Sequence, residues 1–263
     1  MTVTGSAVPL RRCRAGWDSG GMCGRYASSR APEDLAGLFE AELDPDRGAP
    51  GPSWNVAPTD EVWTVLERVD TGTGEVRRRL RPVRWGLVPS WAKDPSVGAR
   101  MINARVETVH EKPAYRKAFT RRRCLLPADG FYEWVAVPAS GTAKAYKQPY
   151  FIRPADDGVM AMAGLYEFWR DRSVQDDDDP AAWLTTATII TTEATDEAGR
   201  IHPRMPLALH PDDYATWLDP AHQHTDDLRA LLHTPADGRL TATAVSTAVN
   251  SVRNNGPHLL EPA

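Results

Sequence analysis

Cysteine is scarce in this chain: Cys13, Cys23 and Cys124 are all it has in 263 residues. An odd, widely spaced set offers neither a disulfide framework nor the paired spacing of a zinc site. It suits a reducing compartment, so a cytoplasmic protein is expected. Positive charge is not in surplus either. The 31 Lys and Arg against 35 Asp and Glu leave a formal net charge of -4, which excludes a global basic field and confines any polyanion site to a local patch. No apolar run reaches the roughly 18 residues of a membrane-spanning helix, so no membrane partner is expected. The first 21 residues hold arginines but no hydrophobic stretch of signal-peptide length. They are expected to be a disordered leader, or to precede the true start at Met22.

Tryptophan, by contrast, is plentiful at nine residues, and an apolar fraction of 41% can fill a sizeable core. Along the chain the patterns are short. Pro32-Glu33-Asp34 opens a helix, with proline early and acids at the positive end of the dipole. Glu61 to Arg68 and Glu75 to Trp85 flank the turn Thr71-Gly72-Thr73-Gly74 and predict a hairpin. Its return strand carries Arg77, Arg78 and Arg79, which can guard a sheet edge or hold a polyanion. Cys124 to Pro127 reads as a buried strand, and Phe131 to Trp134 starts the next. Further strands are expected near 150–152, 160–165, 183–191 and 240–247, and short helices near 113–119, 211–218 and 226–232. Many short strands with few helices argue for an α+β fold, a single domain on a curved antiparallel sheet or open β-barrel. The domain is expected over 22–258, with 259–263 as a tail.

Met22-Cys23-Gly24-Arg25-Tyr26 carries the most chemistry. If Cys23 became the first residue, its α-amine and thiol would stand on adjacent carbons, titrating near ~8 and ~8.5 respectively. An aldehyde condenses with such a pair, first to an imine and then, by addition of sulfur, to a thiazolidine. Taken alone, a cysteine reads instead as an ordinary core residue. Other residues keep two readings as well. Glu133 lies between aromatics, either exposed on an alternating strand or half-buried, and the strand alone favours exposure. His202 sits in a loop stiffened by Pro203 and Pro206, and histidine is the side chain whose ordinary titration spans neutrality. Asn103 and Arg105 share one face if their segment is extended.

Several motifs occur together in order: Met22 to Tyr26, Asn55-Val56-Ala57-Pro58-Thr59, and Arg84-Trp85-Gly86-Leu87-Val88-Pro89-Ser90-Trp91. Asn103-Ala104-Arg105-Val106-Glu107-Thr108, Gly130 to Trp134, and His202-Pro203-Arg204-Met205-Pro206 follow. With these the chain resembles the SRAP (SOS response-associated peptidase) family from Met22 to about residue 258. The resemblance implies covalent capture of abasic sites in single-stranded DNA, with no cofactor and no metal, by a chain expected to act as a monomer. It implies Cys23 as the nucleophile, Asn103 as the residue that positions amine and sugar, and Glu133 and His202 as acid/base residues. Arg25 and Arg105 are similar to its phosphate-holding arginines, Thr191 to a threonine lining its site, and Trp85 with nearby side chains to its stacking wedge. In the family pattern the cysteine follows the initiator methionine, whereas here residues 1–21 precede Met22. An amide nitrogen cannot form an imine, so the working protein is expected to begin at Cys23.

Two other functions fit the same residues. A thiol peptidase would use Cys23 with His202 and Asn103, and a non-covalent single-strand binder would use the tryptophans and arginines. A metal site from Cys23, Cys124 and His202 lacks ligand spacing. Cys124 reads as core and Cys13 as a bystander, and Trp54, Trp134 and Trp169 as packing residues.

Overall fold

The computed structural model describes residues 24–44, 48–233 and 240–263. The leader 1–21, Cys13 and Cys23 therefore lie outside the described residues. The elements in order begin with β1 (Tyr26–Ser28), α1 (Pro32–Leu38), β2 (Glu42–Leu43), β3 (Ser53–Val56), β4 (Glu61–Val69), β5 (Val76–Trp85) and β6 (Asn103–Arg105). There follow α2 (Arg116–Arg121), β7 (Arg123–Ala128), β8 (Gly130–Val137), β9 (Tyr146–Pro154), β10 (Met160–Arg170) and β11 (Trp183–Glu193). The chain closes with α3 (Asp196–Ile201), β12 (Arg204–Pro206), α4 (Tyr214–Leu218), α5 (Thr225–Leu231) and β13 (Leu240–Ala244).

Five of these strands form a ring. β11, β10, β7, β4 and β5 pair antiparallel in that order. A parallel seam, Thr186 opposite Arg84 and Ala187 opposite Trp85, joins β5 back to β11. The α+β barrel expected from the short strands is thus present, and the seam closes it. A second, open sheet runs β13-β9-β8-β1-β3, antiparallel throughout. β7 passes into β8 at Asp129 and Gly130, so one length of chain serves both sheets. Gly130 has no alternative there, since a Cβ would stand 2.5 Å from the Ile152 carbonyl oxygen.

Strand alternation sorts the core. Val62, Leu66, Val83, Trp85, Cys124, Leu126, Met162, Tyr166 and Ile189 form one cluster, which continues onto Tyr26, Val56, Phe131 and Ile152 of the second sheet. Residues of the opposite parity, among them Trp63, Val65, Leu125, Ala163 and Leu165, pack with Leu35, Phe119, Trp217 and Leu228 from the four helices α1, α2, α4 and α5. Helices can only lie outside a closed ring, so the first set is the barrel interior. Cys124 belongs to that interior and is wholly enclosed, its thiol pushed well up by burial.

Buried Arg123 ties helix ends to the barrel. It donates to the carbonyls of Phe119 and Trp217, in the last turns of α2 and α4, and to those of Asp219 and His222 just beyond α4. The hairpin arginines are structural as well. Arg78 pairs with Glu67 at 2.9 Å, Arg79 with Asp70 at 3.4 Å and Asp44 at 3.8 Å, and Arg77 with Glu42 and Glu75 at 3.5 Å each. β2 runs parallel along β5 and covers that edge. Within residues 259–263, Leu259 is fully buried, residues 261–263 are exposed, and Ala263 N–H donates to the Ala244 carbonyl at 2.9 Å.

Candidate active site

The site forms where β1 and β8 of the open sheet approach the late end of β11. Tyr26 lies opposite Phe131 and Ala27 opposite Gly130. The Arg25 carbonyl still accepts from the Tyr132 N–H at 2.9 Å. Carried one residue further, that register would set Gly24 against Glu133. Arg25 is half-buried, and its Nη1 donates to Asn55 Oδ1 at 2.7 Å and to the Val249 carbonyl at 3.0 Å. Its guanidinium carbon stands 6.0 Å from the centre of the Trp134 ring. Burial lowers the Arg25 pKa, and the charge of Asp60 works against that shift. Asn55 is itself buried and donates to the carbonyls of Val249, Ser251 and Asn254.

Glu133 is only 4% exposed. The strand pattern favoured exposure, and that expectation is overturned because β8 is covered on both faces at this point. Its Oε1 stands 3.7 Å from Nδ1 of His202, which caps the C-terminus of α3. His202 Nδ1 also lies 3.2 Å from the Arg204 N–H and 3.1 Å from the Arg204 carbonyl, contacts that fix the ring's orientation. Arg204, at the start of β12, is held from two sides. Its guanidinium grips the Glu107 carboxylate, with Nη2 to Oε2 at 3.0 Å, and donates to the Thr191 carbonyl at 2.6 Å. The Arg204 hydrogen bond keeps Glu107 below the usual carboxylate range.

β6 pairs parallel with β11, placing Asn103 opposite Ile189 and Arg105 opposite Thr191. The segment is extended, as the shared-face argument required. Asn103 is half-buried and Arg105 exposed, while Ala104 between them is buried. Thr191 is fully buried, its Oγ1 3.5 Å from the Ala104 carbonyl. Five expected residues therefore gather at one end of β11: Asn103, Arg105, Glu133, Thr191 and His202. Gly24 and Arg25 bring the chain toward them from the N-terminal side.

Trp85 does not belong to this surface. It is wholly enclosed in the barrel interior, packed edge-on against Tyr26 at 5.1 Å, and its indole N–H donates to the Ile102 carbonyl at 3.0 Å. No base can reach its ring, so the stacking role read for it is corrected. The exposed indole of that motif is Trp91, at 64%. Trp134, read above as packing, does pack against the cluster of Tyr132 and Phe151, while its half-exposed ring also stands beside Arg25, with its N–H on Asn250 Oδ1 at 2.6 Å. Sequence reasoning gave no role to Arg204 or Glu107. The two-residue spacing of His202 and Arg204 was a signal available for the first; only the fold brings Glu107 to it. Among the described residues no group of three His, Cys, Asp or Glu side chains converges as metal ligands would.

The arrangement offers a paired carboxylate and imidazole, an amide side chain, and exposed and half-buried arginines around one strand end. Such a set moves protons beside an anionic backbone. Comparison with known proteins points the same way. The family model described as SOS response associated peptidase (SRAP) matches residues 22–252. The chain is 38% identical over 240 residues to the abasic site processing protein YoqW of Bacillus subtilis, an alignment covering 91% of this chain and 99% of the relative. It is 34% identical to the abasic site processing protein HMCES of Gallus gallus, covering 92% of this chain and 78% of that one. A crystal structure of a Bacteroides thetaiotaomicron protein superposes with a TM-score of 0.71 at 22% identity, covering 92% of this chain and all of that one. That likeness confirms the fold.

Proposed function

The chain belongs to the SOS response associated peptidase family, and from that premise and the site's geometry we propose that it processes abasic sites in single-stranded DNA by capturing them covalently through Cys23. The observation that carries the reading is the pairing of buried Glu133 with half-buried His202, 3.7 Å apart, next to Tyr132, whose N–H donates to the Arg25 carbonyl. One peptide bond separates Gly24 from Cys23, and consecutive Cα atoms are ~3.8 Å apart.

An abasic deoxyribose is mostly a closed hemiacetal. Opening it needs one proton delivered to the ring oxygen and another taken from the anomeric hydroxyl, work suited to Glu133 and His202. The Cys23 amine then attacks the aldehyde carbon, and loss of one water gives the imine. Addition of the Cys23 thiol across the C=N bond closes the thiazolidine without losing a further atom. Asn103, at the edge of the same strand end, orients the amine and sugar. Arg105 and Arg25 hold the flanking phosphates in this reading, with guanidinium geometry suited to two phosphate oxygens at once. Amine chemistry requires a free Cys23 nitrogen, so the reacting form begins at that residue. The resulting thiazolidine resists hydrolysis better than the imine and shields the lesion.

The test uses protein beginning at Cys23 and a single-stranded oligonucleotide with one abasic site. A denaturing gel is expected to show an adduct whose mass is protein plus DNA less one water, and Cys23→Ala is expected to lose it. An adduct that persists in Cys23→Ala, or a complex seen only on a native gel, overturns the proposal.

A further inference from the structure

The other end of the barrel also carries chemistry. Phe168 faces Thr185 across the β10–β11 pairing, and Arg170 faces Trp183. Phe168 continues the parity of Tyr166, Arg68 that of Leu66, and Arg81 that of Val83. These neighbours belong to the interior cluster. Arg68, Arg81, Phe168, Trp183 and Thr185 therefore all point into one mouth of the ring, where they line an open cavity of about 440 Å³. Mouths of β-barrels are places where ligand sites recur, and this volume lies within the usual range of roughly 300–1,000 Å³. Thr185 and Thr191 are six positions apart on β11, so this mouth lies about 20 Å from the Glu133–His202 end.

The lining combines flat rings with cations. The Arg68 guanidinium lies 4.7 Å over the Phe168 ring, and among the described residues no carboxylate is within ion-pair distance of it. Phe168 is held edge-on by Tyr166 at 5.6 Å. Trp183 is 40% exposed, and its indole N–H is anchored on the Asp177 carbonyl at 2.9 Å. Arg81 is mostly buried and pairs with Asp44 at 3.8 Å, a carboxylate it shares with Arg79. Of the acidic run from Asp176 to Asp179, Asp177 is paired with Arg170. Aromatic faces accept a base by stacking, and guanidinium groups accept phosphate.

We propose that this barrel mouth is a second binding site, separate from the abasic-site chemistry, that takes a nucleotide. The base lies against Phe168 and Trp183, and the phosphate sits on Arg68 and Arg81. The nucleotide can be free or part of a single strand, and the two sources are separable. The proposal does not depend on the reading of Cys23.

Calorimetric titration of the full chain with thymidine 5′-monophosphate, and separately with an intact oligothymidylate, tests it. Arg68→Glu and Trp183→Ala change exposed side chains and are expected to keep the fold by circular dichroism. Each is expected to weaken binding about tenfold or more while leaving adduct formation on an abasic oligonucleotide unchanged. Weakening seen with the mononucleotide supports a free-ligand site, and weakening seen with the oligonucleotide alone supports a strand-binding site. Affinities for both ligands that stay within about twofold in both variants, or no heat with either ligand at millimolar concentration, overturn the proposal.

Discussion

Glu133 and His202 share a strand end but differ in exposure, 5% and 26% for their side chains, yet their substitutions are expected to read out in the same way. Glu133→Gln keeps the shape and removes the proton acceptor, so capture is expected to slow by about 10²-fold or more, while affinity for intact single strand, measured by anisotropy, stays within twofold. His202→Ala is expected to behave alike, and a loss of affinity instead would assign either residue to DNA holding. For Glu107 the carboxyl pKa is depressed first by its hydrogen bond to Arg204. A depressed carboxyl contributes stability that is full above its unfolded value and drains as pH falls through the folded one. Carboxyl NMR titration is expected to place Glu107 below the ordinary range, and to return it upward in Arg204→Gln. The Trp85 correction also makes a test: Trp85→Ala empties a fully enclosed site and is expected to lower stability by about 3–5 kcal/mol in urea unfolding. The chemical identities of these residues were legible in the ordered motifs. Their burial was not, because Glu133 and Trp85 occupy strands whose second face is covered by elements far away in sequence.

At the level of elements, the Arg84-to-Trp91 stretch turns out to be chiefly a closing seam. Gly86 has a φ of +127°, and a Cβ there would lie 2.6 Å from the Gly98 carbonyl oxygen, while one on Gly98 would lie 2.5 Å from that of Gly86. The two backbones cross where neither tolerates a side chain. Gly86 N–H donates to the Ala187 carbonyl at 2.7 Å, and Val88 N–H to Thr186 Oγ1 at 2.9 Å, so the crossing and the barrel closure are one feature. Gly86→Ala is expected to destabilise by more than about 2 kcal/mol, through both the positive φ and the clash, with the midpoint of chemical denaturation as the measure. Long strands and the β4–β5 hairpin could be read from alternation and turn residues. β2, β6 and β12 could not, since two or three residues hold no period; they are strands only because β5 and β11 pair with them. The short helix α3, which delivers His202, was hidden for the same reason.

Over the whole molecule, a net charge of -4 coexists with Arg25, Arg105 and Arg204 near one strand end, so any hold on a polyanion there is local. Arg105 is exposed beside Thr191, and Arg105→Ala is expected to reduce the slope of log affinity against log salt by about one contact's worth, roughly 0.7 for single strands. An unchanged slope would remove it from the phosphate contacts. The final stretch of chain has a role in the same region. Asn55 holds the Val249, Ser251 and Asn254 carbonyls, and Arg25 holds Val249, so the frame around the first strand is fastened by residues far along the chain. Seen from the ribosome, this imposes a schedule: while residues 249–254 are still inside the exit tunnel, Arg25 and Asn55 lack their final partners, and the frame around β1 cannot be set until those residues emerge.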